Sequence, residues 1–159
     1  MPDIKTLVAQ TLAIRSRCVE LAEACADRAD VIPAGWNNNM RWHIGHLVQT
    51  PRLLTLGLLG EDLGVPDEFK GWFRKGTTPR EWGNAEIPSL AELNAQIEPT
   101  IHFVVEKVAD RMDQRFREPY PTSAGALLST PGEALLFSFA HDGIHLGSML
   151  ALRRALNAR

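Results

Sequence analysis

Four of the five histidines in this chain fall in two places, His43 and His46 in one stretch, His141 and His145 in another. Imidazole is the commonest protein metal ligand and the side chain whose proton moves near neutrality, so the clustering has chemical content. His141 and His145 are spaced i, i+4. On a helix they stand about 40° apart around the axis and one turn apart along it, so both rings can reach a single ion. They lie in the mainly apolar run Phe137–Leu150, where a buried imidazole without a partner is costly. A divalent metal supplies that partner. Two histidines seldom hold such an ion alone, and His46 is the natural third ligand. His43, about 60° round the helix from His46, is a substitute, although a capping-turn or surface role suits it better. His102 stands off the apolar stripe of its own helix and reads as solvated. Three protein ligands leave a position open for water or substrate, the arrangement of catalytic zinc sites rather than closed structural ones. Asp142 adjoins His141 but points about 100° away from it, which favours solvent exposure or a contact between subunits over a role as a base.

These histidines need helices to carry them. Ile4, Leu7, Val8, Thr11, Leu12, Ile14, Cys18, Leu21, Ala22 and Cys25 recur at three- and four-residue steps, with Lys5, Arg15, Glu20 and Glu23 between them; this predicts an amphipathic helix over 3–29. After a break at Val31–Asn39, any of Asn37, Asn38 and Asn39 can cap a second helix from Met40 to about Leu59. Pro51 should kink it and Gly60 close it. A third helix reads from Ser89 to near Met112, bent at Pro99. Thr130-Pro131-Gly132-Glu133 has the order of a capping box with proline at the first helical position, opening a fourth helix that runs to Asn157. Between the second and third lies a long connection, residues 60–88, with five glycines, three prolines, Trp72, Trp82 and a short helical stretch at Asp67–Arg74. No stretch alternates as a strand does. The pattern predicts an all-α fold: a four-helix bundle with a long crossover between helices 2 and 3, as a bundle needs when those two run parallel. Trp36, Trp72 and Trp82 are expected to pack that crossover over the bundle.

Composition narrows the function classes. The 159 residues fit one domain, 1–159, and 45% hydrophobic with 23% charged residues is ordinary globular composition. A net charge of −2 provides no general field for a phosphate backbone, so nucleic acid is a poor partner. No continuous apolar run reaches membrane-spanning length, and the N-terminus lacks the order of a secretion signal. Cys18 and Cys25, about 10 Å apart along one helix, are beyond disulfide reach and read as buried thiols in a reducing, cytoplasmic setting. Thirteen of the seventeen cations are arginine. Of these, Arg41, Arg52, Arg74, Arg80, Arg153 and Arg154 could recognise a carboxylate, but read better as surface charge.

The segments Trp42-His43-Ile44-Gly45-His46, the Trp- and Gly-rich crossover, and Pro131–Arg154 with its His141-Asp142-Gly143-Ile144-His145 core together resemble the DinB/YfiT-like family of four-helix-bundle metalloproteins, over nearly the whole chain. That family has a tryptophan four residues before a histidine in the second helix and His-x-x-x-His in the last, followed by a glycine and a polar residue. The resemblance implies His46, His141 and His145 as metal ligands. At Ser148 this sequence departs from the family, where a glutamine often follows the glycine. Understood members include metal-dependent transferases and isomerases that use low-molecular-weight thiols, and the family has a habit of pairing.

The expected function is therefore that of a metal-dependent enzyme, a transferase or isomerase in which an ion, Zn or Ni foremost, activates a low-molecular-weight thiol cosubstrate toward a small-molecule substrate. Two readings compete with it: a hydrolase using metal-bound hydroxide, and a non-catalytic, metal-stabilised dimerisation or sensor module. Apolar exposure on a bundle of this length, with the family's habit of pairing, makes a homodimer the expected assembly.

Overall fold

The computed structural model describes residues 3–157. They form five α-helices and one short β-ladder: α1 (Ile4–Glu23), α2 (Met40–Thr55), α3 (Glu68–Phe73), α4 (Leu90–Val108), β1 (Tyr120–Pro121), β2 (Leu127–Leu128) and α5 (Pro131–Asn157). The chain is mainly helical, as the periodicity predicts. α1 packs on α5 and α4, while α2 packs on α4, α5 and α3.

Helix ends follow local chemistry. Of the three asparagines before α2, Asn39 is the cap: its Oδ1 accepts the Trp42 amide at 2.8 Å. Ser89 and Glu92 form the reciprocal box expected of serine and glutamate at that spacing, the glutamate accepting the Ser89 amide at 2.8 Å and the serine hydroxyl accepting the Glu92 amide at 3.2 Å. At Thr130 only half of the box forms. Thr130 Oγ1 accepts the Glu133 amide, but the Glu133 carboxylate reaches one residue further back, to the Ser129 amide. α1 stops at Glu23, short of the expected residue 29, and continues as a single 3₁₀ turn, Ala26–Arg28. α2 likewise gives way at Thr55 to a 3₁₀ turn, Gly57–Leu59, which Gly60 closes at φ +79°. α4 ends at Val108 rather than Met112. The β-ladder is antiparallel with Tyr120 opposite Leu128. Two residues per strand are too few to show an alternating pattern, so it left no trace in the hydrophobic periodicity.

Almost every side of α2 is covered. All of its residues except Arg41 and Leu53 are buried, including His43, His46, Gln49 and Arg52. Pro51 lies inside it and has no N–H, so the Leu47 carbonyl one turn back loses its helical donor. Arg15 of α1 fills the gap, donating from Nη2 to Leu47 O at 2.7 Å. Arg15 is thus wholly buried, not on the polar side of α1 where its charge had placed it. Its Nε and Nη2 also donate to the two oxygens of Asp142 at 2.6 and 3.2 Å, and Nη1 donates to Ile97 O at 3.3 Å. One guanidinium therefore ties α1, α2, α4 and α5 together. Asp142, expected in solvent or between subunits, is also fully buried; the 100° offset from His141 aims it inward at α1.

α3 and the loops beside it close over the start of α2. Phe69 and Phe73 are buried, with Trp36, Trp72 and Trp82 half-buried against the same core as α2, as expected of them. Gly45 permits this approach, since a Cβ there would stand 2.3 Å from the Phe73 ring. Arg41 lies over the Trp82 ring, and Arg52 is buried, donating to Thr100 Oγ1 and Leu63 O, so neither is free surface charge. Cys18 and Cys25 are buried free thiols. α5 is the only helix among the described residues long and apolar enough in mean hydropathy to cross a membrane. It packs on α1 and α2 and carries His141, Asp142 and His145 at its middle. Of its most apolar stretch 28% is buried.

Candidate metal centre

The packing of α2 on α5 brings their histidines face to face. His46 Nε2 and His145 Nε2 each lie 3.2 Å from His141 Nε2, and the ligand atoms of all three lie within 4.8 Å of one another. Trp42, one turn before His46, stacks on its ring at 4.6 Å and 12°. On the other side the His46 Nδ1–H donates to the Phe73 carbonyl at 2.6 Å. A carbonyl only accepts, so in the neutral ring this bond leaves the Nε2 lone pair facing the other two imidazoles. The tryptophan, Gly45 and the α3 carbonyl are thus parts of one device that fixes the His46 ring.

His43 belongs to the cluster too, contrary to the capping-turn or surface role that suited it best in the sequence. It is buried, and its Nδ1 lies 2.9 Å from His145 Nδ1. One nitrogen of that pair donates and the other accepts. If His145 donates, its Nε2 is left as a lone pair aimed at His141. Spacing along α2 did not disclose this, because the contact that buries the ring is with His145 of α5. His102 is exposed on α4, 3.5 Å from Glu98, as expected of a solvated residue.

Burial favours the neutral form of His43, His46 and His145. It pushes the His46 imidazole down to about 3, helped by the nearby His141, and the His43 imidazole down to about 4 for the same two reasons. His145 is held well below the ordinary histidine range by burial, then by His46 and His141. Neutral imidazole is the form that ligates.

The group fits a divalent ion on its own chemistry. Tetrahedral coordination at 2.0–2.1 Å places ligand nitrogens about 3.3 Å apart, close to two of the three separations here, 3.2 Å each, with the third within 4.8 Å. Where all three Nε2 atoms present lone pairs, one ion can serve them together. The Thr50 hydroxyl lies 3.2 Å from His46 Nε2, a fourth polar group at the same point. The cluster forms one wall of a cavity of about 330 Å³. Thr50, Leu54, Phe137 and residues of the β-ladder region line the rest, with Arg74 and Lys75 beyond α3.

The model of the DinB superfamily matches residues 10–149. The chain belongs to the DinB superfamily. The matched span takes in all four clustered histidines, Arg15 and Asp142, so the site and the buried ion pair both lie within the DinB region. No curated protein matches the chain.

Proposed function

We propose that this DinB-superfamily protein is a metal-dependent enzyme, in which His46, His141 and His145 hold a divalent transition ion, Zn or Ni foremost, and a low-molecular-weight thiol is transferred to, or used to isomerise, a small electrophilic molecule. The observation that carries the reading is the convergence of three Nε2 atoms on the wall of an open cavity; a purely structural tie between α2 and α5 needs no cavity. When bound, such an ion lowers the pKa of a thiol or water that shares it toward neutrality. The chain's own residues do the rest. Phe73 O and Trp42 fix the His46 ring, His43 orients His145, and the Thr50 hydroxyl is placed to take or give a hydrogen bond at the reacting group. Leu54 and Phe137 keep one side of the cavity apolar, which favours the uncharged part of a substrate. Hydrolysis without a thiol would use the same open position.

The architecture proposed with this function is a four-helix bundle of α1, α2, α4 and α5 in a single domain, with residues 60–88 as the crossover joining parallel α2 and α4. Two copies are proposed to pair. Leu136 and Ile144, two turns apart on α5, are exposed large apolar side chains that pairing would cover. A monomer by light scattering excludes the pairing. The buried free thiols suit the cytoplasm.

Metal per chain, measured on protein purified without a histidine tag, tests the central reading. About one equivalent is expected, falling to near zero in the His46→Ala/His141→Ala/His145→Ala variant. Equal metal in both proteins refutes the site. A metal-loaded protein that consumes no cellular thiol with model electrophiles, yet hydrolyses esters, moves the reaction to hydrolysis.

A further inference from the structure

One buried polar side chain has no part in the metal centre. Gln49 is 1% exposed, and neither its Oε1 nor its Nε2 has a hydrogen-bond partner among the described residues. It lines the cavity beside the histidines. A buried amide with both ends unpaired is expensive, because each group has lost water and gained nothing. Proteins keep such a group where a partner arrives from outside.

Its position says what that partner is like. On α2 the residues His46, Gln49, Thr50, Leu53 and Leu54 follow at three- and four-residue steps, so they line one face in order. The polar amide stands one turn beyond the imidazoles, and the leucines one turn beyond that. Tyr120 and Phe137 line the same cavity, so its walls hold aromatic and aliphatic surface as well as the amide. No carboxylate lines the cavity among the described residues. A primary carboxamide presents a donor and an acceptor side by side, and is planar and self-complementary, so another carboxamide satisfies both of its ends with two parallel hydrogen bonds. A ketone reaches only Nε2, and a hydrocarbon reaches neither.

We infer that Gln49 determines specificity in this cavity: it selects a small, largely apolar molecule that carries a carboxamide, the amide pairing with Gln49 and the apolar part resting on Leu53, Leu54, Tyr120 and Phe137. The carboxamide end of that molecule is then the end nearer His46, one turn back along α2. The reaction served rests on the metal-centre reading above, whereas the binding does not require an ion.

Benzamide and acetophenone test this, because they match in shape and differ in the donor. Binding of each is measured by protein-observed NMR on the full chain, as isolated and after chelator treatment. Benzamide should bind roughly tenfold tighter in both preparations, the scale of one buried hydrogen bond to a group otherwise left unpaired. In Gln49→Leu the preference should fall below twofold while Tm holds or rises, since leucine fills the space without unpaired atoms. Equal binding of the two probes by the wild type, no benzamide binding at 10 mM, or a preference that survives Gln49→Leu overturns the inference. A Tm loss of several degrees in Gln49→Leu overturns it as well, by showing that the amide is satisfied within the fold. The two readings fail separately: a chain that retains metal without its three histidines refutes the metal centre, and leaves the benzamide preference of chelated protein untouched.

Discussion

Two buried polar groups lie back to back around the middle of α5, and they are finished to different degrees. On the α1 side, Arg15 and Asp142 satisfy each other at 2.6 and 3.2 Å, and the remaining guanidinium bonds go to Leu47 O and Ile97 O. On the cavity side, His141 Nδ1 and both ends of Gln49 have no partner among the described residues, and three imidazole nitrogens face one another. The two sets meet at adjacent residues, where His141 Nδ1 lies 3.8 Å from Asp142 Oδ1, beyond hydrogen-bond length. A complete polar network holds helices in place. An incomplete one leaves groups free for the ion and the carboxamide proposed above.

The comparison breaks most visibly at the complete end. Asp142→Ala leaves the Arg15 guanidinium buried without its counter-charge, and should cost about 3–5 kcal/mol of stability by urea unfolding. The double variant Arg15→Met/Asp142→Leu removes both charges and should recover most of that loss, because a buried ion pair often contributes little over apolar residues of similar volume. The pairing of Leu47 O would still be lost in the double variant, at a cost of about 1 kcal/mol. A loss below 1 kcal/mol in Asp142→Ala would mean that water reaches the node, and that it does not differ in kind from the histidine side.

At the incomplete end the expected effect is smaller in stability and larger in binding. His43→Phe keeps an aromatic ring against Trp42 but removes the partner of His145 Nδ1. Outer hydrogen-bond partners of metal-ligating histidines are typically worth 10–100-fold in affinity, so competition against a chelator should show a loss of roughly that size. The Tm of the metal-free protein should change little, since a buried imidazole is exchanged for an apolar ring. A large drop in metal-free Tm with unchanged affinity would place His43 among the residues that hold the fold.

How much of this the sequence discloses follows from what each residue depends on. Helices, their caps and the pairing of His141 with His145 rest on periodicity and on i, i+4 spacing, which a linear pattern carries, whereas His46 as their third partner rested on the resemblance to the DinB family. Arg15 did not yield to that treatment because a charge reads as polar. Yet it sits four residues after Thr11 and three before Cys18, on the stripe that the structure buries. What admits it is a carbonyl freed by Pro51 on another helix and a carboxylate on a third, neither visible along α1 alone. His43 was missed because three-residue spacing from His46 resembles a first-turn position. Its ring meets His145 of α5, a contact between distant segments that spacing along α2 does not carry. The two-residue β strands had too few positions for any pattern.

The smallest effect belongs to a residue at the complete end. Cys18 is fully buried, and its thiol is pushed up to about 12, first by burial and then by the nearby Asp142 charge, against which Arg15 acts in the opposite sense. The thiolate is the reactive form, so a raised value keeps Cys18 protonated at any working pH and the closed packing keeps reagents out. Iodoacetamide at pH 8 should therefore label Cys18 only as fast as the protein opens, with labelling rising steeply in urea. In Asp142→Ala the charge that raises the thiol is gone and the packing is loosened, so native-state labelling should quicken as the global stability falls. Rapid labelling of the wild type would show the α1 side to be as open as the cavity side. Slow labelling that speeds up in proportion to the lost stability would show that the ion pair and the thiol belong to one closed unit, against which the histidines are positioned.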